Sequence, residues 1–512
     1  LFESLPDPHW FDDVCYLDGD RMNRADKRRQ QKMAAKAASR RPPDARAFEA
    51  GAEHFQAGRF QKAADAFALV VKAQPDNIDA LNNLGISLLR AGNPNAALQP
   101  FQKMAALSLK SADAQFNLGT AYDEIGLYPD AETAYREAIA SAPDHVMAYS
   151  NLAGVYMEMS RQTDAITCYD QVIARAPDFP GVYFAKGVAL QELENFIAAI
   201  DNYCTARDAP GADDRTKAGA LANIGFCHKQ LDQLDDAAAA YAEAVSLAPH
   251  DASILANLGD TYLKLGECDA ALAIADDFLA AHPGDITMLA FKAAALNEAG
   301  GSTGLAHLSD FDRIVQPMQI DAPNGYTDMT TFNAALSDFV LNHPTLIMAP
   351  ASYSTMNGRH TSELMTMPEG PMRDFVRVIG AAVDRYRKTV PVDPGHPWLA
   401  QRPDKTKLVG WSVVMDSQGH QLSHIHPSGW LSGVYYPKLP DVIADDDPAH
   451  EGWIEFGRTT DHYFGSQAPE VHLIKPREGL MVLFPSYFYH RTIPFTSDQH
   501  RISIAFDVVP VL

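Results

Sequence analysis

Cysteine is scarce in this sequence, and long apolar runs are absent. The 512 residues include five cysteines, none of them in a CxxC pair, which indicates free thiols in a reducing compartment and argues against a cysteine-based metal site. No apolar run reaches the roughly eighteen residues of a membrane span. Nothing near Leu1 resembles a secretory signal. We therefore expect a cytoplasmic protein without a membrane partner.

Positive charge is also sparse. With 42 Lys and Arg against 65 Asp and Glu, the formal net charge is −23. Most of the surface should repel nucleic acid, so we expect no nucleic-acid partner. Residues 21–41, within a basic N-terminal segment 1–44, are the exception, with nine basic residues against one acid. This segment is typical of a solvated helix that docks on the protein's own acidic surface, and a separate anionic partner is the alternative.

A pattern of small, alanine and aromatic positions recurs every 34 residues through the middle of the chain. The small residues are Gly51, Gly85, Gly119, Ala153, Gly187, Gly225 and Gly259. An alanine follows twelve positions after each, at Ala63, Ala97, Ala131, Ala165, Ala199, Ala237 and Ala271. An aromatic residue stands four positions further in six of the seven units, at Phe67, Phe101, Tyr135, Tyr169, Tyr203 and Tyr241. Ala275 takes that place in the seventh. The step from Gly187 to Gly225 is 38 residues, and we expect segment 209–214 to hold the extra four as a longer loop.

Each unit is long enough for two helices of about twelve residues and their turns. A small residue facing an alanine lets two helix backbones approach closely, and the aromatic can fill the gap towards the next unit. Because one helix pair cannot bury its apolar face alone, the units should stack into a solenoid. The pattern resembles the tetratricopeptide repeat, as in residues 82–101 and 117–143. This resemblance implies an all-α solenoid over 45–300, with about seven repeats plus a capping helix, and a polypeptide partner.

An asparagine two positions before the small residue is the one repeated polar feature. It occurs at Asn83, Asn117, Asn151, Asn223 and Asn257, and the series is broken at Ala185. In tetratricopeptide folds this position faces the concave groove. Because an amide both donates and accepts hydrogen bonds, one asparagine per layer can hold an extended peptide. The alternative is that these asparagines brace the neighbouring helix.

The 34-residue period vanishes after about residue 300. Residues 301–327 are rich in Gly, Pro and Asp and are predicted to be a connector, with helices near 328–342 and 369–388. Beyond them, short apolar segments alternate with turn residues, which predicts strands without intervening helices. The predicted strands cover 408–416, 421–426, 430–436, 452–457, 471–475, 479–485 and 501–509. This pattern is typical of a sandwich or barrel such as a jelly roll, in a domain spanning 328–512.

His424 and His426 are candidate metal ligands. They lie two positions apart on a predicted strand, so both imidazoles point to one face and can share a metal. A third ligand must come from another strand, and His490, at the end of an apolar strand, is the best candidate. Arg501 opens the last predicted strand, with Ser503 on the same face.

This set of residues resembles the Fe(II)- and 2-oxoglutarate-dependent oxygenases. Their double-stranded β-helix carries the pattern His-x-Asp/Glu, a distal His and an Arg, and the prolyl-hydroxylase branch has a similar tyrosine-rich strand after the metal motif. The resemblance covers about residues 400–512, with the preceding helices as support. The segments that carry it are HIHPSGWLSGVYY (424–436), FPSYFYH (484–490) and RISIAF (501–506).

The resemblance implies a role for each matching residue. In the family, the residues at the positions of His424 and His490 ligate iron. The family residue equivalent to Arg501 forms a salt bridge to the distal carboxylate of 2-oxoglutarate. The residues equivalent to Ser503 and Tyr436 hydrogen-bond the same carboxylate. Three facial ligands leave three positions of an octahedron, two for the chelating keto acid and one for dioxygen. The implied cofactors are therefore Fe(II), 2-oxoglutarate and O2.

Position 426 departs from the commonest family pattern, because His stands where Asp or Glu usually ligates iron. A third neutral imidazole leaves the metal more positive but still suits Fe(II). The three segments quoted above most resemble bacterial oxygenase domains of this family, which carry the HxH version. This resemblance implies that His426 is the third ligand. Three alternatives remain. His426 contacts another iron ligand or the substrate, two histidines and water hold the iron, or Asp416 takes the place of the third ligand.

The two parts predict a multidomain α + β enzyme, with an all-α tetratricopeptide solenoid before a jelly roll with supporting helices. The predicted enzyme is a 2-oxoglutarate- and Fe(II)-dependent dioxygenase that hydroxylates a side chain of a protein or peptide captured in the groove. The main alternative is a non-catalytic tetratricopeptide adaptor with a degenerate jelly roll. A three-histidine metalloenzyme that does not use 2-oxoglutarate is the third possibility, and Arg501 and Ser503 argue against it.

Overall fold

The computed structural model describes residues 43–108, 110–349, 354–444, 447–460 and 465–511. The predicted basic segment 21–41 lies outside these residues. The chain divides into two compact units, with the division between Val155 and Tyr156, and each unit is described by itself. No helix among the described residues combines the length and the apolar character that a membrane span requires.

The described residues from Pro43 to Glu298 form paired helices. In chain order they are α1 (Pro43–Gln56), α2 (Phe60–Ala73), α3 (Ile78–Arg90), α4 (Pro94–Leu107), α5 (Ala112–Glu124), α6 (Tyr128–Ser141), α7 (Val146–Glu158), α8 (Gln162–Arg175), α9 (Pro180–Glu192), α10 (Phe196–Arg207), α11 (Asp214–Gln230), α12 (Leu234–Leu247), α13 (Ala252–Lys264), α14 (Cys268–Ala281) and α15 (Ile286–Glu298). Side-chain caps start several of the odd-numbered helices. Asn77 Oδ1 accepts from the Ala80 N–H before α3, and Ser111 Oγ accepts from the Ala114 N–H before α5. This is the helix pairing that the 34-residue period predicts.

In the first unit, the periodic small residues let an aromatic ring lie directly on a helix backbone. A Cβ atom placed on Gly51, Gly85 or Gly119 would come within 2.5–2.9 Å of the aromatic ring of the same repeat. The hydroxyl of Tyr135 also accepts from the Asn151 amide on the following odd-numbered helix. Each aromatic ring therefore fills the space inside its own helix pair. The hydroxyl of Tyr135 also reaches the next helix pair.

The second unit continues the repeats with two departures from the period. The predicted longer loop is present, because loop 208–213 before α11 has six residues, against four in loop 176–179 before α9. Helix α11 is also longer, with 17 residues against 13 in α9, and Asp213 caps it by accepting from the Thr216 N–H. Helix α10 is two residues shorter than α8, so the loop alone does not hold the four extra residues. Where Ala275 replaces the aromatic, Phe291 of α15 packs against Gly259 instead. The periodic alanines of both units are fully buried, at Ala63, Ala97, Ala131, Ala165, Ala199, Ala237 and Ala271.

After α15 the chain passes through short elements into a curled antiparallel sheet. The further helices are α16 (Ser302–Leu308), α17 (Phe311–Ile314), α18 (Met329–Leu341) and α19 (Met372–Thr389). The strands are β1 (Gln316–Gln319), β2 (Ile347–Met348), β3 (Thr355–His360), β4 (Thr406–His424), β5 (Leu431–Lys438), β6 (Ile454–Phe456), β7 (His472–Ile474), β8 (Leu480–Pro485), β9 (His490–Thr492) and β10 (Arg501–Pro510). The region 301–327, predicted to be a connector, thus holds α16, α17 and β1.

The strand order places distant segments side by side. Through the sheet it runs β1-β8-β5-β10-β4-β9-β6-β7, while β3 pairs with both β2 and β4. The last strand, β10, lies between β4 and β5 and pairs antiparallel with each. The predicted strands 408–416 and 421–426 merge into the single long β4, which ends at His424. This topology agrees with the predicted jelly roll.

Within the second unit, the last repeats and the sheet share one hydrophobic core. Buried side chains of this core include Phe291 from α15, Trp398, and Phe484 from β8. Polar contacts join the same elements, because the Glu298 carboxylate accepts from the backbone N–H of Ser466 at 2.7 Å. The Tyr487 hydroxyl donates to the Leu308 carbonyl at 2.6 Å. The sheet is therefore fixed against α15 by packing as well as by hydrogen bonds.

The glycine–aromatic contact predicts opposite effects for two helical Gly→Ala changes. Gly119→Ala should lower the free energy of unfolding by about 1–3 kcal/mol, because the new methyl group would lie 2.8 Å from the buried Tyr135 ring. Gly154→Ala should instead raise it by about 0.5–1 kcal/mol, because its Cβ meets nothing within 4 Å and alanine favours a helix. Urea unfolding followed by circular dichroism measures both. A neutral or stabilising Gly119→Ala would contradict this packing account.

Candidate metal centre

Three histidines meet where strands β4 and β9 pair. His424, the last residue of β4, lies opposite His490, the first residue of β9. His426 lies two residues beyond the end of β4, where its backbone N–H donates to the Ser486 carbonyl at 3.0 Å. Strand pairing thus brings together residues that are 64 or more positions apart in the sequence.

The three imidazole rings form a compact cluster. Ring centroids lie 4.3 Å apart for His424 and His490, 5.0 Å for His426 and His490, and 5.2 Å for His424 and His426. One ring nitrogen from each residue lies within 4.8 Å of the other two. His426 and His490 are buried and His424 is half-buried. The cluster could therefore hold one metal ion, as the sequence predicts.

Hydrogen bonds fix the tautomer of each ring. The Nδ1 atoms of His424 and His490 lie 2.8 Å and 3.0 Å from the carbonyl oxygens of Leu422 and Phe488. A carbonyl oxygen can only accept, so each Nδ1 carries the proton. The Nδ1 of His426 faces a side-chain carboxylate, that of Asp507, at 2.5 Å. With every Nδ1 engaged, the Nε2 lone pairs are left to face a metal.

Two of the rings are neutral far below neutral pH. Burial lowers the pKa of His424 to about 3, and the neighbouring His426 adds to the effect. Burial also lowers the pKa of His490 well below its ordinary value, with further contributions from the other two imidazoles. Only a neutral imidazole has a lone pair for a metal. These two rings can therefore accept a cation without first losing a proton.

A buried arginine lines the same cavity as the histidines. Arg501 is 1% exposed, and within the part of the chain that the structure describes its guanidinium pairs with no carboxylate and its Nε has no hydrogen-bond partner. Nη1 lies 3.5 Å from the Ser503 hydroxyl, and the Tyr436 ring centroid lies 5.0 Å from the guanidinium carbon. Burial lowers the pKa of Arg501. Because an unpaired buried cation is costly, this arrangement suits an anionic ligand.

All the predicted cofactor-binding residues line one cavity. They are His424, His426, His490, Tyr436, Arg501 and Ser503. Burial raises the pKa of Tyr436 to about 12, so its hydroxyl stays a neutral donor. Imidazole suits Fe(II), and a guanidinium suits a carboxylate. The donor set therefore fits iron together with a dicarboxylate such as 2-oxoglutarate.

The alternatives for the third ligand differ in their fit to this geometry. Asp416 pairs with His500 at 2.7 Å and with Arg359 at 3.7 Å, and it is not part of the histidine cluster. His426 belongs to that cluster and shares its cavity. The geometry therefore favours His426 over Asp416, and the ligand role itself stays a prediction.

The asparagine series lies on odd-numbered helices, and its members have different surroundings. The Asn117 amide donates to Asn82 at 2.7 Å, and that of Asn151 donates to the Tyr135 hydroxyl at 3.2 Å. Asn257 is buried and donates to the Ser253 carbonyl of its own helix. The side chains of Asn83 and Asn223 are half-buried. Peptide binding by this series stays a prediction, and bracing of a neighbouring helix accounts for the contacts of Asn117 and Asn151.

Two residues that contact His426 were missed in the sequence. Asp507 accepts from its Nδ1, and the Trp411 ring lies 5.6 Å from its ring. The alternation of β10 carried a signal for the first, because Asp507 falls on the same face as Arg501 and Ser503 and is the one acid in an apolar strand. Nothing in the sequence pattern pointed to Trp411.

Comparison with protein families agrees with both halves of this description. Residues 410–507 match the family described as "Putative 2OG-Fe(II) oxygenase", a range that contains the three histidines and Arg501. The tetratricopeptide repeat family matches residues 48–114, 82–146, 116–165 and 228–286. The chain thus carries tetratricopeptide repeats followed by a domain similar to the 2-oxoglutarate- and Fe(II)-dependent oxygenases. No curated protein matches the chain.

Solved structures that resemble the chain include tetratricopeptide proteins. The MamA protein is 29% identical, with 33% of this chain and 91% of that chain covered and a TM-score of 0.31. PilF from Pseudomonas aeruginosa is 19% identical, with 40% and 92% covered and a TM-score of 0.34. A tetratricopeptide repeat protein from Parabacteroides merdae is 16% identical, with 46% and 91% covered and a TM-score of 0.39.

Loss of one imidazole should abolish tight metal binding. We expect His490→Ala to lower the affinity for Co(II), a spectroscopic substitute for Fe(II), at least 100-fold, because one of three ligands is removed. His500→Ala is the matched control, since His500 pairs with Asp416 outside the cluster, and its Co(II) affinity should equal that of the wild type. Calorimetric titration measures both. Equal affinities for the two variants would exclude this cluster as the metal site.

The low pKa values predict a weak dependence of metal binding on pH. Three ordinary imidazoles with a pKa near 6.5 would together lose about 1000-fold in affinity on going to pH 5.5, since each loses about tenfold per unit below its pKa. His424 and His490 stay neutral over this range, so protonation of these two rings does not compete with the metal. Co(II) affinity should therefore fall far less than 1000-fold. A loss near 1000-fold would show that the buried rings titrate normally.

Proposed function

We propose that the chain is an Fe(II)- and 2-oxoglutarate-dependent dioxygenase that hydroxylates a side chain of a protein or peptide held by the helical repeats. One observation carries this proposal. The buried guanidinium of Arg501 shares a cavity with three convergent imidazoles and pairs with no carboxylate of the described residues. A metal site that uses no anionic co-substrate has no need of such a group, which favours 2-oxoglutarate over a three-histidine enzyme without it.

Each residue of the cavity then has a distinct task. The three histidines would hold iron through Nε2, Arg501 would bind the distal carboxylate, and the hydroxyls of Ser503 and Tyr436 would orient it. Bound iron and 2-oxoglutarate supply the oxidising chemistry, in which a C–H bond becomes C–OH while 2-oxoglutarate and O2 become succinate and CO2. The cavity is also lined by Trp411, Ile454 and Phe484, whose apolar surfaces limit the access of water to the reacting atoms.

Substrate capture by the repeats is supported by a second cavity, of about 310 Å³. It lies between helix α15 and the segments that flank β6 and β9. Ala293 and Asn297 of α15 form one wall, and Phe488 and Tyr489, which directly precede His490, form another. In the second unit, α15 follows α11 and α13, which carry Asn223 and Asn257. A polypeptide lying along these three helices would reach the strand of a metal ligand. Because the repeats and the sheet belong to one chain, binding to the repeats would also raise the effective concentration of the polypeptide at the iron.

The test begins with anaerobic addition of Fe(II) and 2-oxoglutarate. We expect the weak visible charge-transfer band of the chelate, followed by release of succinate in air. Arg501→Gln should raise the 2-oxoglutarate concentration for half-maximal succinate release about 10- to 100-fold. The reason is that a charged hydrogen bond contributes roughly 1.5–3 kcal/mol. Its affinity for Co(II) should not change, because the arginine does not contact the metal.

Arg491→Gln is the matched control. This arginine lies on β9 next to His490 but pairs with Glu455 outside the cavity, so the 2-oxoglutarate requirement should equal that of the wild type. A mass-spectrometric search for gains of 16 Da in proteins retained by the full chain then identifies the substrate. If the wild-type protein binds neither metal nor 2-oxoglutarate, the proposal is wrong and the chain is a tetratricopeptide adaptor.

A further inference from the structure

We propose that Asp507 is a positioning residue that supplies negative charge to the metal through the ring of His426. In the commonest family pattern, the ligand at position 426 is itself a carboxylate. Here a carboxylate stands one imidazole further away, so the charge would reach the metal through a hydrogen bond. The inference rests on the proposed iron site and goes beyond it, because it assigns the residue that compensates for the third histidine.

The contact between the two side chains is close and buried. Asp507 Oδ1 lies 2.5 Å from His426 Nδ1, and both side chains are at most 10% exposed. Ser432 Oγ donates to the same carboxylate oxygen at 2.7 Å, and it lies 2.8 Å from Ser486 Oγ. The backbone of Ser486 in turn accepts from the His426 N–H at 3.0 Å. Ring, carboxylate and both serines therefore form one network.

The fold holds this carboxylate in place from two sides. Asp507 lies on β10 opposite Ser432 of β5, so the strand register alone brings its side chain to that serine. On the remaining side the chain must pass very close. A Cβ atom at Gly429 would lie 2.6 Å from Ser486 Oγ and 3.4 Å from the Asp507 Cβ, so a residue with a side chain would press on the network. The site is therefore built around the carboxylate.

The three histidines differ in the partner of Nδ1, and this difference carries the argument. His424 and His490 donate to neutral backbone carbonyls, whereas only His426 donates to a carboxylate. Among the residues that the structure describes, Asp507 pairs with no lysine or arginine, so a basic side chain does not neutralise it. A carboxylate that accepts from a ligating imidazole fixes the ring and makes it a stronger electron donor to the metal. His426 is the ligand that has this assistance.

Two substitutions should move one spectroscopic signal in opposite directions. Asp507→Asn removes the charge but keeps the shape, so it should lower Co(II) affinity about 10- to 100-fold. It should also move the anaerobic Fe(II)–2-oxoglutarate band to shorter wavelength, since the iron becomes poorer in electrons. Ser432→Ala removes a competing donor from the same oxygen, which leaves the carboxylate a stronger acceptor for His426. Its band should move to longer wavelength. A purely structural role for Asp507 would not produce shifts of opposite sign.

Glu455→Gln is the control for loss of a buried carboxylate. Glu455 is 4% exposed on β6, where Arg458 and Arg491 bind it at 2.5 Å and 2.9 Å, and it does not contact a histidine of the cluster. The Glu455→Gln variant should match the wild type in the position of the Fe(II)–2-oxoglutarate band and in Co(II) affinity. If Asp507→Asn matches the wild type in both, the inference is overturned while the proposed function stands. If the wild type binds no metal, both fail. Should Asp507→Asn not fold, the sign of the Ser432→Ala shift decides, and no shift or the opposite shift overturns the inference.

Discussion

The rest of the site depends on the burial of Arg501, which pairs with no carboxylate in the part of the chain that the structure describes. A guanidinium removed from water and unpaired with a carboxylate is stable only if the surrounding sheet holds it there, and β10 does so between two pairing strands. Among the described residues, no carboxylate bridges Arg501 and the histidines. Arg501 is therefore left to bind an anionic ligand, and the histidines are left to bind a metal. The cavity therefore offers a positive charge to an anionic ligand and imidazole lone pairs to a metal cation.

The histidines must also be held in a fixed orientation, and hydrogen bonds from Nδ1 hold them. Their rings are held by hydrogen bonds from Nδ1, two of them to carbonyls only two residues back in the chain. This local arrangement fixes the tautomer within a single strand end, and the lowered pKa values keep His424 and His490 neutral. The third ring has no such carbonyl contact and uses Asp507 instead. Local backbone geometry thus prepares two ligands, while tertiary structure prepares the third.

The relation between the repeats and the sheet differs from that of two domains joined by a flexible linker. In the second unit, α13–α15 and the sheet share a hydrophobic core, and Glu298 and Leu308 hydrogen-bond to the segments around residues 466 and 487. A polypeptide bound along these last helices would be held at a fixed distance from the metal. The packing of Phe291 onto Gly259, in place of the missing aromatic, suits this junction, because the ring comes from the helix that contacts the sheet.

By itself, the sequence determined the helical repeats, the strand-rich C-terminal part and six of the cavity residues. Both periods are local: one aromatic per 34 residues defines a helix pair, and alternation within a strand places Arg501 and Ser503 on one face. The lengthening of α11 and the merging of two predicted strands into β4 depend on a cap and on strand pairing, so propensity alone missed them. Only the tertiary structure decided that Asp507 faces His426, because this contact joins residues 81 positions apart through strand order, which no local pattern contains. The tertiary structure also decided that Arg501 is buried without an acidic partner among the described residues.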